Sequence, residues 1–132
     1  MTALDELASL VTARADQHGD RNNRAAAQLA CDSILLAKIA PFIEADGFIP
    51  WDEITIRLID GVGWSGGEIR LAKIACSLAG FLGYVDGDVR AQADIADWSL
   101  SECLWGLDDR NMRAALSAIH YAATGIPTLD GC

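Results

Sequence analysis

Histidine, lysine and proline are scarce in this chain of 132 residues. His18 and His120 are the only imidazoles, which leaves little material for a metal cage or for a base beside a nucleophile. Cys31, Cys76, Cys103 and Cys132 are widely spaced with no C-x-x-C pair, so neither a zinc knuckle nor a thioredoxin-like redox motif is encoded. Long apolar runs are missing as well. Ser33–Ala37 and Ile39–Ile43 are divided by Lys38 and are far too short to cross a bilayer. The opening MTALDELASL is acidic where an export signal would be basic, so export is not expected and a reducing cytoplasm is the expected home of the thiols.

Base is the other shortage, and acid is what stands in its place. The formal net charge is -9, and it is concentrated. Between Pro41 and Ile69, Glu44, Asp46, Asp52, Glu53, Asp60 and Glu68 face one base, Arg57. Between Asp86 and Asp109, Asp86, Asp88, Asp94, Asp97, Glu102, Asp108 and Asp109 face Arg90. A field of that sign repels phosphate backbones and favours basic partners or solvation. Acid is Asp over Glu, 14 to 5, and base is Arg over Lys, 8 to 2, a usage that fits a GC-rich bacterial or phage genome.

With 52% hydrophobic and 22% charged residues, the chain is expected to fold as one globular domain over residues 1–132. The periodicity is helical nearly throughout. Thr2 and Asp5 form a variant capping box for a first helix that stops at Gly19,. Asn22 is the expected cap of a second helix, Asn23–Ala40, apolar around most of its circumference and so buried at the centre,. Pro41 should kink or end it, with a short extra turn over Phe42–Asp46,. Pro50 opens a helix with Asp52 and Glu53 in its first turn and Trp51, Ile54, Leu58 and Ile59 as its apolar face,. Ser65 and Glu68 make a full capping box ahead of Leu71, Ile74, Ala75, Leu78 and Leu82,.

Asp86-Gly87 suits a tiny hairpin over residues 84–89, and Asp88–Asp97 and Ser99–Trp105 read as short helices,. Asp108 caps a last helix whose apolar stripe is Met112, Leu116, Ile119 and Ala123,. The expected fold is therefore all-α, a bundle of five to seven helices around a buried central one.

The segment Phe42–Glu53 has the spacing of a calcium loop, with Gly47 at the turn, Glu53 at the closing position and Glu44 and Asp46 between. Phe42 stands where the first carboxylate is required, so no metal is expected. The order helix, Gly61–Ser65 turn, capped helix and hairpin also suits a winged helix-turn-helix, with Arg70, Lys73 and Ser77 toward a groove,. Two bases on a recognition helix and acids at the wing tip weigh against it. His120 falls on a polar stripe with Arg113, Ser117 and Thr124, which reads as solvated. No catalytic residue and no cofactor is expected.

Four tryptophans remain. Trp51 and Trp64 flank the first acidic helix, and Trp98 and Trp105 lie in the second acidic window. Either they close the core at helix ends, or they anchor a partner beside the acids. The functional expectation is a non-enzymatic regulator or inhibitor that docks Asp52, Glu53, Asp60, Trp64, Asp86, Asp88, Asp94, Asp97, Trp98 and Asp109 onto a basic patch of a larger protein. Occlusion of a nucleic-acid-binding surface, as small phage-encoded antagonists do, is its sharpest form, and a winged-helix DNA-binding transcriptional regulator is the alternative.

Overall fold

The computed structural model describes residues 2–79 and 100–126. The hairpin expected at 84–89, the helix expected over Asp88–Asp97, and Leu82 and Cys132 lie outside the described residues. Among the described residues the chain is all-α: α1 (Ala3–His18), α2 (Arg21–Asp32), α3 (Leu35–Ile39), a 3₁₀ turn (Ala40–Phe42), α4 (Trp51–Asp60), α5 (Gly66–Leu78), α6 (Leu100–Leu104) and α7 (Asp109–Thr124). Both capping boxes form. Thr2 Oγ1 accepts from Asp5 N and Ser65 Oγ from Glu68 N, while each acidic side chain returns to its cap residue's N–H. Orphan donors of the first turn are satisfied in this way.

The central helix of the bundle is α2, which packs against α1, α3, α5 and α7. Its cap is Asp20, whose Oδ1 accepts from Asn23 N at 2.8 Å, and not Asn22. Nor does one helix run from Asn23 to Ala40. The axis turns by 103° between Arg21–Asp32 and Leu35–Phe42. Ser33 is the cause: its hydroxyl donates to Leu29 O at 2.7 Å and accepts from Leu35 N at 3.2 Å. A serine side chain competing for backbone partners substitutes for the helical ladder at that point. The bend lets Leu35, Leu36 and Ile39 enter the core along a second direction. Pro41 lies within the 3₁₀ turn, as its missing N–H requires,.

In α7 the buried residues are Asn111, Ala114, Ala115 and Ala118. The expected stripe of Met112, Leu116, Ile119 and Ala123 is turned aside by roughly a third of a helical turn, and Leu116 is 43% exposed. Shape decides this. Helix α7 packs most extensively on α2, and the small residues Ala114, Ala115 and Ala118 on its buried face allow the two backbones to approach closely while the longer side chains stay at the flanks. Polar contacts then fix the antiparallel register. Arg24 Nε donates to Tyr121 Oη at 3.0 Å and Gln28 Nε2 to Ser117 Oγ at 3.2 Å. At the other end Asn111 Oδ1 accepts from Ile34 N at 3.5 Å.

Candidate functional site: the outer face of α4

Helix α4 starts at Trp51, one residue after the proline expected to open it: Pro50 is the N-cap, and its carbonyl accepts from Ile54 N at 3.0 Å. Trp51 and Ile54 enter the core, 2% and 0% exposed, and Thr55 is buried with its hydroxyl donating to Trp51 O at 2.8 Å. Leu58 packs at the core edge. That inward face presses α4 onto α5.

The opposite face points out. At 100° per residue, Asp52, Glu53, Ile56, Arg57 and Asp60 share it, and all five are exposed. Ile56, 44% exposed, lies near the middle of the arc. Among the described residues, no ion pair engages Asp52, Glu53 or Asp60. Arg57 is drawn aside, its guanidinium carbon 6.0 Å from the Phe42 ring centroid. The result is an isoleucine set among three carboxylates on one helical face. The acids of this face are among the contact residues expected from the sequence and Ile56 is not, although its spacing from Trp51, Ile54 and Leu58 puts it on the far side of the helix.

The other expected contact residues are not all gathered here. Trp64 is half-buried against the core, with its ring edge-on to Phe42 at 6.5 Å. It borders the fold more than it projects. Trp51 is a core residue, while Trp105, absent from the expected contact set, is 76% exposed. Asp109 opens α7, whose main contacts are with α2 and α5, and is bound to Arg113 at 3.0 Å. Asp86, Asp88, Asp94, Asp97 and Trp98 lie outside the described residues.

The groups considered for other chemistry are placed as follows. Asp46 is occupied: Oδ2 accepts from Arg14 Nη1 at 2.9 Å and Oδ1 from Phe48 N at 3.0 Å. Phe42, at the position a first calcium ligand would take, packs on the core beside Trp64. Among the described residues no three His, Cys, Asp or Glu side chains converge on a common point. Arg70 folds back over its own helix start. A β-carbon on Gly66 or Gly106 would meet its guanidinium at 3.2 Å, and its Nε is buried without a partner among the described residues.

His18 is exposed, whereas His120 is half-buried with Nδ1 enclosed and unpartnered among the described residues. The solvated reading of His120 is corrected to that extent, because a helix packed on its Ala face also shelters residues beside it. Cys31 and Cys76 are free thiols, and Cys103 is buried in the core. Burial pushes all three up, Cys76 to about 12, so each holds its proton at neutral pH.

Comparison of the chain with protein-family models, curated proteins and solved structures finds no match.

Proposed function

We propose that this protein is a non-enzymatic regulator or inhibitor that docks the outer face of α4 onto a basic surface of a larger protein. The observation that carries the reading is the arrangement of Ile56 among Asp52, Glu53 and Asp60, with no ion pair to those acids among the described residues. An apolar centre with a charged rim is how protein interfaces are built. The partner this face fits is an apolar socket ringed by Lys or Arg. Opposed charge would speed encounter and fix orientation, while Ile56 supplies desolvated contact. A groove that normally holds nucleic-acid phosphates is such a surface, and a small bacterial or phage antagonist acting in the cytoplasm would occupy it in their place.

Two further observations support this reading. The described thiols are held protonated by burial, which suits a protein without nucleophilic chemistry. The Arg70 side chain is packed against Gly66 and Gly106, which suits a helix that does not read a DNA groove.

The test is affinity capture with the chain and two variants, Ile56→Asp and the triple reversal Asp52→Lys, Glu53→Lys, Asp60→Lys. A partner with a basic surface should be retained by the wild type, released as salt rises toward about 0.5 M, and lost with both variants. A gel shift supplies the opposite outcome. Robust binding of duplex DNA by the free chain near 0.15 M salt, abolished by reversal of Arg70 and Lys73, would sink the regulator and establish the DNA-binding alternative.

A further inference from the structure

On a different part of the molecule, the segment with calcium-like spacing has been put to another use. Residues 44–50 form a tight loop pressed onto α1. Glu44 N donates to Phe48 O at 3.0 Å and Gly47 N to Glu44 O at 2.9 Å, while Asp46 Oδ1 receives the Phe48 N–H. Gly47 has φ +89, and a β-carbon there would come within 2.6 Å of the Leu10 carbonyl oxygen, so only glycine allows so close an approach. Arg14 of α1 clamps the loop twice, through Asp46 at 2.9 Å and by lying 5.4 Å from the Phe48 ring centroid.

Between this loop, the end of α1 and the start of α2 the structure leaves a cleft of about 170 Å³. Ile49 and Trp51 contribute an apolar floor, and Arg14, His18, Asn23 and Phe48 line the walls. In a protein of net charge -9, two side chains of basic type line this cleft and no lining residue is acidic. The charge of Arg14 is shared with Asp46 through one nitrogen, Nη1, and the remaining N–H groups of its fork keep their donor capacity. An apolar, aromatic-walled cleft with a few convergent polar groups is the usual form of a small-molecule site.

We infer that this cleft binds a small carboxylate with an apolar body, of the size of benzoate or a short-chain fatty acid. The carboxylate sits on the Arg14 fork, whose planar geometry matches two oxygens, with the His18 side chain beside it; Asn23, whose Nδ2 donates to Asp20 Oδ1 at 3.0 Å, bounds the cleft. The hydrocarbon part lies over Ile49 and Trp51. A phosphate is a poorer fit, since a dianion finds one guanidinium already shared with Asp46 and an apolar floor that it cannot use. Because α4's outer face takes no part, this site and the docking reading stand or fall separately.

The experiment is a titration of ¹⁵N-labelled protein with benzoate, followed at the Asn23, Gly47 and Phe48 amides and the Trp51 indole. Saturable shifts confined to these signals are expected, with an affinity in the millimolar range or tighter. Benzyl alcohol, which keeps the ring and lacks the charge, should bind about tenfold more weakly, and inorganic phosphate should leave the Trp51 indole unmoved. Arg14→Met should weaken benzoate by about tenfold, the scale of one charge-assisted contact. Because Arg14 also clamps the loop, His18→Gln, at an exposed helix end, serves as the second variant, with about threefold loss and the loop amides unmoved. Absence of saturable shifts, equal binding of benzyl alcohol, phosphate binding as tight as benzoate, or benzoate binding unchanged in both variants would each overturn the assignment.

Discussion

Helices α2 and α4 carry similar proportions of polar and apolar side chains and use them in opposite ways. Around α2 four helices close in, and its polar groups are consumed by neighbours: Arg24 by Tyr121 and the Gly19 carbonyl, Gln28 by Ser117. Helix α4 is held from one side, mainly by α5, and three of its carboxylates meet no cation among the described residues. A polar side chain already satisfied inside a fold contributes to register and has little left to offer a partner. One left on a rigid outer face is available for recognition. The loop at 44–50 falls between these cases, since its acid Asp46 is spent on Arg14 and the Phe48 amide.

The contrast can be broken most severely at α2. Leu29 is fully buried, and Leu29→Asp places a carboxylate without a partner in the core. A loss of roughly 4 kcal/mol or more, enough to unfold a marginal domain, is expected from chemical denaturation. Retained stability would mean that α2 is not the centre of the bundle.

Gly47→Ala comes next. Positive φ for an L residue and a contact at 2.6 Å with the Leu10 carbonyl together predict a loss of about 2–3 kcal/mol. Amide exchange should report it first at the loop, before the helices. Asp108→Ala removes the cap that accepts from Asn111 N at 2.8 Å and should cost about 1 kcal/mol, visible as a lowered urea midpoint with unchanged slope.

Ile56→Ala on the outer face should change stability by less than about 0.5 kcal/mol while weakening partner capture. That separation of stability from binding is what the comparison with α2 predicts. If Ile56→Ala costs as much as a core truncation, the outer face is covered and the contrast is lost.

A pH measurement sharpens the picture at α5. The Ser65 backbone N–H holds the Glu68 carboxylate below the usual range, with Ser65's hydroxyl and Lys38 adding to it. A carboxylate depressed in the folded state contributes stability that is present above its unfolded pKa. That stability is lost as pH falls through the folded value. Lys38→Met should therefore shrink the acid-side loss of stability slightly, as the ion pair at 3.4 Å is exposed on the lysine side,.

Some of this was legible in the chain because it depends on neighbours a few residues apart. Thr2–Asp5, Ser65–Glu68 and Asp108–Asn111 are local hydrogen bonds, and a helix start needs little more than such a pair ahead of an apolar run. The helical class, the ends at Gly19 and Gly61, and the acidic outer arc of α4 follow from the same short-range chemistry. The face that α7 buries did not follow. Periodicity proposes a stripe of large apolar residues, but which stripe is buried depends on what stands opposite, and against α2 and α5 it is Ala114, Ala115 and Ala118 that are buried.

The break at Ser33 was within reach, since Asp32-Ser33 is a poor interior for a helix, yet the 103° between the two axes, which brings Leu35, Leu36 and Ile39 into the core, is not written in any local pattern. By itself, then, the sequence determined the helical class of the described segments apart from the break at Ser33, where most of them start, and which charges stand on the outer arc of α4, because those properties are decided within one or two turns of backbone. Only the tertiary structure decided that Asp46 is bound by Arg14 while Asp52, Glu53 and Asp60 find no ion pair among the described residues, and that Arg14, His18 and Trp51 line one cleft. Those relations join residues distant in the chain, and burial against specific neighbours, which a one-dimensional pattern does not carry, is what selects them.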